Sequence, residues 1–263
     1  MIGETEKGED VARTTLIVLA HPDRRSFNGT WAEASAKAAE AQGDRVLWSD
    51  LYAQEFHPAE GPGRYAAPTA RFDPLKVQEE AAAQGGLPGD LLAEVEKIRA
   101  ADRIVFHFPL WWFAPPAMLK GWCDRCLVHG LLHDVDHRFD AGLLRGKRAL
   151  FCVTTGARAE ESGPDGKEGE TRLLLWPLAY TLRYCGMDVA EPLIVHGVHG
   201  YHEGARKAEL EARLTSVLSE QADVISGLET RALLAFNTDA EFDDDGQLRP
   251  ETHSHWPFIR HTD

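Results

Sequence analysis

The sequence predicts an α/β protein: a doubly wound, five-stranded parallel sheet with helices on both faces and a C-terminal extension. Short apolar runs rich in β-branched residues recur along the chain, as expected of strands buried on both faces. The segments between them carry helical spacing and helix-end signals. With 263 residues, 43% of them hydrophobic and 27% charged, the chain can bury one substantial core.

The elements follow in order. Thr15 to Ala20 is a continuous apolar run and reads as the first strand. Phe27 to Gln42 has Ala and Trp at helical spacing and stops at Gly43, and Arg45 to Asp50 is a second short strand. Leu51 to Gly89 breaks into Pro, Gly, Ala and charged residues and reads as a long loop, with at most a short helix near Leu75 to Gln84. A helix from about Asp90 to Ala100 leads into a third strand, Arg103 to Pro109. Pro116 to Val128 is helical with proline in its first turn, and Lys147 to Thr155 is a fourth buried strand. Thr171 to Cys185 is the next crossover helix, Val189 to Val198 the fifth strand, and His202 to Ser226 a last charged helix. Right-handed crossovers leave few topologies for such a series. The expected division is a flexible stretch over 1–13, one domain over 14–226, and an extension over 227–263 that packs on the domain or on a dimer partner.

Composition excludes several classes. A net charge of −14 opposes nucleic acid, whose phosphates the surface would repel. No apolar run is long enough for a membrane helix, and the acidic start of the chain lacks the halves of a signal peptide, so a cytoplasmic protein is expected. Four cysteines do not make a disulfide framework, and the single C-x-x-C of Cys123 and Cys126 lacks the second pair of a structural zinc site. His253, His255 and His261 are scattered without paired spacing, so no metal is expected.

In doubly wound sheets ligands bind beyond the C-terminal ends of the strands. After the first strand, His21-Pro22-Asp23-Arg24-Arg25-Ser26-Phe27-Asn28 delivers small polar side chains to a helix start. There Ser26 either caps the helix or helps form an anion site. No G-x-G-x-x-G occurs in this position. After the third strand, Pro109-Leu110-Trp111-Trp112-Phe113 places three consecutive aromatics before two prolines, and so bulky a run cannot all point inward. A cleft for a planar ligand is expected. After the fourth strand, Thr154-Thr155-Gly156-Ala157 permits close backbone approach, with N–H groups turned toward negative charge.

Together, H-P-D-R-R-S-F-N, F-P-L-W-W-F-A-P-P-A-M-L-K-G-W-C-D-R and T-T-G-A resemble the flavodoxin-like NAD(P)H:quinone oxidoreductases, the family of DT-diaphorase and its bacterial relatives. The likeness runs over roughly Leu16 to His196. It implies a flavin, FAD favoured and FMN an alternative, with NAD(P)H as co-substrate and a quinone or related molecule as acceptor. It implies that His21, Ser26, Phe27 and Asn28 contact the flavin's phosphates and ribityl chain. Pro109, Leu110, Trp111, Trp112 and Phe113, with Thr154, Thr155, Gly156 and Ala157, would surround the ring. It also implies a homodimer whose partner subunit completes each site. The Tyr and His proposed to relay protons in mammalian-type members fall by spacing on Ser162 and Glu168, so Glu168 or solvent becomes the expected proton donor. The surrounding segment Glu160 to Glu170 also reads as a mobile acidic loop. Trp112 and Phe113 are expected to wall the substrate slot and His133 to form its polar lip. A rival reading is a redox-regulatory subunit, like the flavoproteins that regulate bacterial potassium-efflux systems. A plain flavodoxin carrier is disfavoured, since no Thr/Ser-rich phosphate loop follows the first strand.

Overall fold

A computed structural model describes residues 12–65 and 71–261. The expected flexible stretch 1–13 therefore lies, up to residue 11, outside the described residues. The sheet runs in the order β2 (Arg45–Asp50), β1 (Thr14–Leu19), β3 (Arg103–Pro109), β4 (Arg148–Thr154), β5 (Asp188–Val189), and every pairing is parallel. The strand order reverses between β1 and β3, which makes that pair the topological switch point. This is the predicted doubly wound, flavodoxin-like architecture.

Alternation along each strand divides the core into two layers. Leu16 and Val18 of β1 join Leu91, Val95 and Ile98 of α3 (Gly89–Ala100) and Trp122 of α4 (Ala117–Cys126). Ile17 and Leu19 face the opposite side, with Trp31 and Ala39 of α1 (Phe27–Ala41) and Ile225 of α7 (Gly204–Ser226). Both layers contain a buried polar network. In the first, the Glu94 carboxylate accepts from Trp122 Nε1 at 2.7 Å and Ser49 Oγ at 2.6 Å and pairs with Lys97 at 2.6 Å. This joins α3 to α4 and to β2. In the second, Trp31 donates to Gln221 (2.7 Å), Gln221 donates to Ser35 (2.7 Å), and the Ser35 hydroxyl lies 2.9 Å from His107 Nε2. Complete burial pushes the His107 imidazole down to about 3, so it is neutral within this network.

Two predicted elements are each divided by proline. The helix expected over Thr171 to Cys185 is two, α5 (Thr171–Leu174) and α6 (Trp176–Tyr184), with Pro177 in the first turn of α6. A proline there loses no needed N–H, but it cannot sit inside a continuous helix without breaking it. The strand expected over Val189 to Val198 is likewise β5 and β6 (Leu193–Val195), both pairing with β4 on either side of Pro192. Proline cannot donate to a ladder. At this break the extension docks: Ala190 and Leu233 form an antiparallel bridge, Glu191 N donates to Ala232 O (2.8 Å), and Leu234 N donates to Val189 O (2.8 Å). Leu234 and Trp256 of the extension enter the first core layer. The long 51–89 segment holds α2 (Pro74–Gln84), capped by Asp73 and ended by Gly85 at φ 67°.

Candidate active site

The ends of β1, β3 and β4 bring three loops to the switch point. After β1 the chain turns into α1 with Ser26 as N-cap, its hydroxyl accepting from Gly29 N at 3.2 Å. Among the described residues, the first-turn N–H groups of Phe27 and Asn28 have no protein acceptor. Helix starts with free N–H groups attract anions. The arginines nearby are occupied: Arg24 pairs with Glu33 and lies over the Trp48 ring, while Arg25 pairs with Asp23 at 3.0 Å. The backbone N–H groups of Phe27 and Asn28 are therefore the donors left open at this helix start among the described residues. Gly29 is obligatory here, since a Cβ on it would lie 2.0 Å from Arg24 O. His21 sits at the loop's entrance, its Nδ1 accepting from Asp23 N at 3.0 Å and its ring 6.1 Å from that of Trp111.

Asn28 is 3% exposed, and its Oδ1 accepts from Thr154 Oγ1 at 2.9 Å. Its Nδ2 is buried without a partner among the described residues. A buried amide donor left unpaired costs about 1–3 kcal/mol, a penalty that a ligand acceptor would remove.

After β3 the aromatic run folds into a two-residue antiparallel turn. Trp111 N donates to Ala114 O (2.9 Å) and Ala114 N to Trp111 O (3.2 Å), with Trp112 at φ 51° and Phe113 at φ 61° between them. Turns with two successive left-handed residues ordinarily take Asn-Gly, because bulky side chains are strained there. Here both positions are aromatic, and Trp112 is 92% exposed. Strain combined with the exposure of large rings is expected of a ligand wall rather than of packing.

Thr154 and Gly156 complete the arrangement. The Thr154 carbonyl accepts from Leu110 N at 2.8 Å, and Thr155 N donates to Val195 O at 3.0 Å, which fixes this loop between its neighbours. Gly156 N is free among the described residues. Pro109, Leu110, Trp111 and Trp112, together with Thr154, Thr155, Gly156 and Val198, line a cavity of about 430 Å³. A second, of about 270 Å³, shares Leu110, Trp112, Thr155 and Gly156 and adds Phe113, Ala157, Ser162, Glu168, Thr171 and Leu174. The two form one cleft.

The 160–170 segment that closes this cleft is folded rather than loose. Glu168 N donates to Glu161 O (2.9 Å) and Thr171 N to Ser162 O (3.1 Å), and a Cβ at Gly166 would lie 2.2 Å from Glu161 O. Glu161 bonds to Arg158 and to Lys167, which together hold its carboxyl at about 2. Ser162 is buried, and its hydroxyl donates to Arg158 O at 2.8 Å, so its hydrogen is not available to a ligand. Glu168 is among the residues that line the cleft.

His133 lies apart from these residues. It lines a cavity of about 480 Å³ between α4 and α6 with Cys123, Trp176, Tyr180 and Tyr184. Its Nε2 bonds to Leu127 O at 3.0 Å and its ring packs edge-on to Tyr184, while burial, followed by His129, pushes its pKa down. A neighbouring cavity of about 640 Å³ is lined by Trp176, Tyr180 and Phe139 with Asn237, Phe242 and Ile259 of the extension.

A cleft of mixed charge was not foreseen. Arg158, Arg206 and Arg213, with Glu160, Glu209, His196 and His202, line about 410 Å³ beside the Ala157 loop. Arg213 donates to His196 O at 2.6 Å, and Arg206 has no ion pair among the described residues. This cleft is framed by the start of α7, which follows β6 as α1 follows β1, each beyond the C-terminal end of a parallel strand. The H-G-V-H-G-Y-H run after β6 was its one visible signal.

The sequence profile of the flavodoxin-like fold family matches residues 13–218. Ribosyldihydronicotinamide dehydrogenase (quinone) of Mus musculus is 37% identical over 216 residues, 80% of this chain and 94% of that protein. NAD(P)H dehydrogenase (quinone) 1 of Rattus norvegicus is 36% identical over 215 residues, 79% of this chain and 78% of that protein. A solved Klebsiella pneumoniae structure, provisionally assigned as a quinone reductase, superposes with a TM-score of 0.82 at 30% identity, covering 91% of this chain and 95% of that one. With the switch-point cleft and its loops in place, these relationships show that the chain belongs to the flavodoxin-like NAD(P)H:quinone oxidoreductase family of enzymes.

Proposed function

We propose that the protein uses bound FAD to carry out two-electron reduction of quinones, or similar planar acceptors, by NAD(P)H in a ping-pong sequence. The observation that carries this reading is a convergence at one switch point. The α1 start with its free N–H groups and unpaired buried amide, the strained aromatic turn, and the Thr154–Ala157 loop all meet there. The donor set fits a flavin nucleotide, with anion-binding N–H groups at one end and an aromatic slot at the other. Such a group would supply the ring that accepts a hydride and gives it up again.

The chain's own residues do the rest. Phe27 and Asn28 N–H groups would receive a phosphate, His21 would close the entrance, and the Gly156 N–H would offer a donor to negative charge on the bound group. Trp111, Trp112 and Phe113 present flat walls that orient a second planar molecule and exclude water. Glu168 or solvent supplies the proton to the reduced acceptor; Ser162 does not, because its hydroxyl hydrogen is held by Arg158 O. FAD is proposed over FMN because a separate cleft holds Arg206, which has no ion pair among the described residues, and Arg213, where a second phosphate would sit beside Glu160 and Glu209. A homodimer is supported by the apolar cavities around Trp176 and Tyr180 and by the exposed Val135 and Phe258 beside them. A cytoplasmic setting is proposed with it; among the described residues no helix is long and apolar enough to cross a membrane.

Initial rates measured with NADH, NADPH or ribosyldihydronicotinamide against a soluble naphthoquinone test the reading. Parallel double-reciprocal lines are expected. Intersecting lines would overturn the ping-pong sequence, and negligible turnover with every donor and quinone would favour the accessory-subunit reading.

A further inference from the structure

We infer that Thr154 is a positioning residue for the flavin: its hydroxyl fixes the Asn28 amide so that the NH2 group, and not the oxygen, is presented at the start of α1. This rests on the flavin reading above and assigns a division of labour within it.

Thr154 is the hub of the switch point. Its backbone carbonyl holds the aromatic turn through Leu110 N at 2.8 Å, and its side chain holds α1 through Asn28 Oδ1 at 2.9 Å. Both residues are buried, so the bond is shielded from competing water. An asparagine amide has two inequivalent ends, and a threonine hydroxyl can bond either of them. What decides the orientation is the neighbourhood. The free groups at the start of α1, the N–H of Phe27 and of Asn28, are donors, so the position attracts a negatively charged oxygen. Turning the amide over would set its oxygen against that same anion. With Oδ1 taken by Thr154, Nδ2 is left buried and unpaired, which is the state expected of a donor held ready for a ligand. Ser26 performs a different task, since its hydroxyl accepts from Gly29 N and completes the cap.

The test is a double-mutant cycle on flavin affinity, measured by fluorescence titration of full-length apoprotein with FAD and with FMN. Thr154→Val, which keeps shape and removes the hydroxyl, is expected to weaken flavin binding about tenfold, equivalent to about 1.4 kcal/mol. Thr154→Ser should stay within about twofold of wild type. In an Asn28→Ala background, Thr154→Val should have no further effect, because its action passes through the amide. Asn28→Asp, which puts a carboxylate oxygen where the NH2 stood, should bind more weakly than Asn28→Ala. Circular dichroism of each apoprotein checks folding, and the two Asn28 variants and Thr154→Ser carry the test if Thr154→Val does not fold. Unaltered binding by Thr154→Val, additive losses in the double variant, or tighter binding by Asn28→Asp than by Asn28→Ala would each overturn the proposal while leaving the flavin reading intact. Wild-type apoprotein that takes up neither flavin would overturn both.

Discussion

Gly29→Ala separates a functional helix start from an ordinary one. In an unhindered helical position, alanine is favoured over glycine by about 1 kcal/mol, so the default expectation is stabilisation. Here the added Cβ would lie 2.0 Å from Arg24 O, 2.6 Å from its carbonyl carbon and 2.9 Å from its Cα. All three are backbone atoms, so no side chain can swing away. Real Cβ atoms keep at least 3.0 Å, so the 23–26 loop and α1 must part by a full 1.0 Å. That loop is held by Ser26 N to Asp23 O at 3.0 Å and Thr30 N to Ser26 O at 2.9 Å. Forcing such contacts apart costs about 1–3 kcal/mol, which reverses the sign of the helix-propensity gain. The same shift moves the Phe27 and Asn28 N–H groups off an anion. Losing one charge-assisted hydrogen bond, worth about 1.5–3 kcal/mol, weakens flavin binding roughly 10- to 150-fold. Thermal unfolding of the apoprotein and flavin titration read the two effects separately. A Gly29→Ala protein that is more stable and binds flavin like wild type would refute the close approach and the anion site together.

Trp112→Gly should leave stability unchanged or raise it by up to about 1 kcal/mol, because it relieves a left-handed backbone at a site that is 92% exposed, while raising the quinone KM. Denaturant melts and steady-state kinetics check this, and a loss above 1 kcal/mol with an unchanged KM would contradict it. Glu168→Gln should fold normally and alter the pH profile of the half-reaction with quinone, followed by stopped flow; an identical rate and profile would leave solvent as the donor. His107 gives a stability prediction whose sign follows from burial. The folded state keeps the imidazole neutral down to about pH 3, whereas the unfolded chain protonates it below its ordinary value of 6.5. The contribution is therefore complete above pH 6.5 and is lost as pH falls toward 3. At pH 5 the loss is about 2 kcal/mol, at 1.36 kcal/mol per unit. Urea unfolding at pH 7 and pH 5 should show this extra decline in wild type and not in His107→Gln.

Much of this architecture was legible because its physics is local. A strand buried on both faces is mostly apolar, and β1, β3 and β4 are, their buried polar residues such as Arg103 and His107 being paired by partners far away in sequence; a run such as Trp111-Trp112-Phe113 cannot be packed inside, and it is not. The two broken elements were also written in the sequence, in Pro177 and Pro192, but apolar periodicity across each proline masked the interruption. What depends on long-range geometry could not be read. Nothing near Ser162 shows that its hydroxyl is turned back onto Arg158 O, nor that Gly166 allows the 160–170 segment to fold tightly. The Arg158–Arg206–Arg213 cleft joins residues from a loop and a helix face that look like solvated charge one at a time. His133 follows α4 closely in sequence, yet the turn after that helix carries it into the α4–α6 cavity. The Asn28 to Thr154 bond spans 126 positions and becomes visible only when β1 and β4 are set in one sheet.

The most direct test of the central claim is to purify the protein, release any bound small molecule by heat, and identify it chromatographically. Stoichiometric FAD is the predicted result. A colourless protein that also fails to bind added FAD or FMN would contradict the assignment of the switch-point cleft as a flavin site.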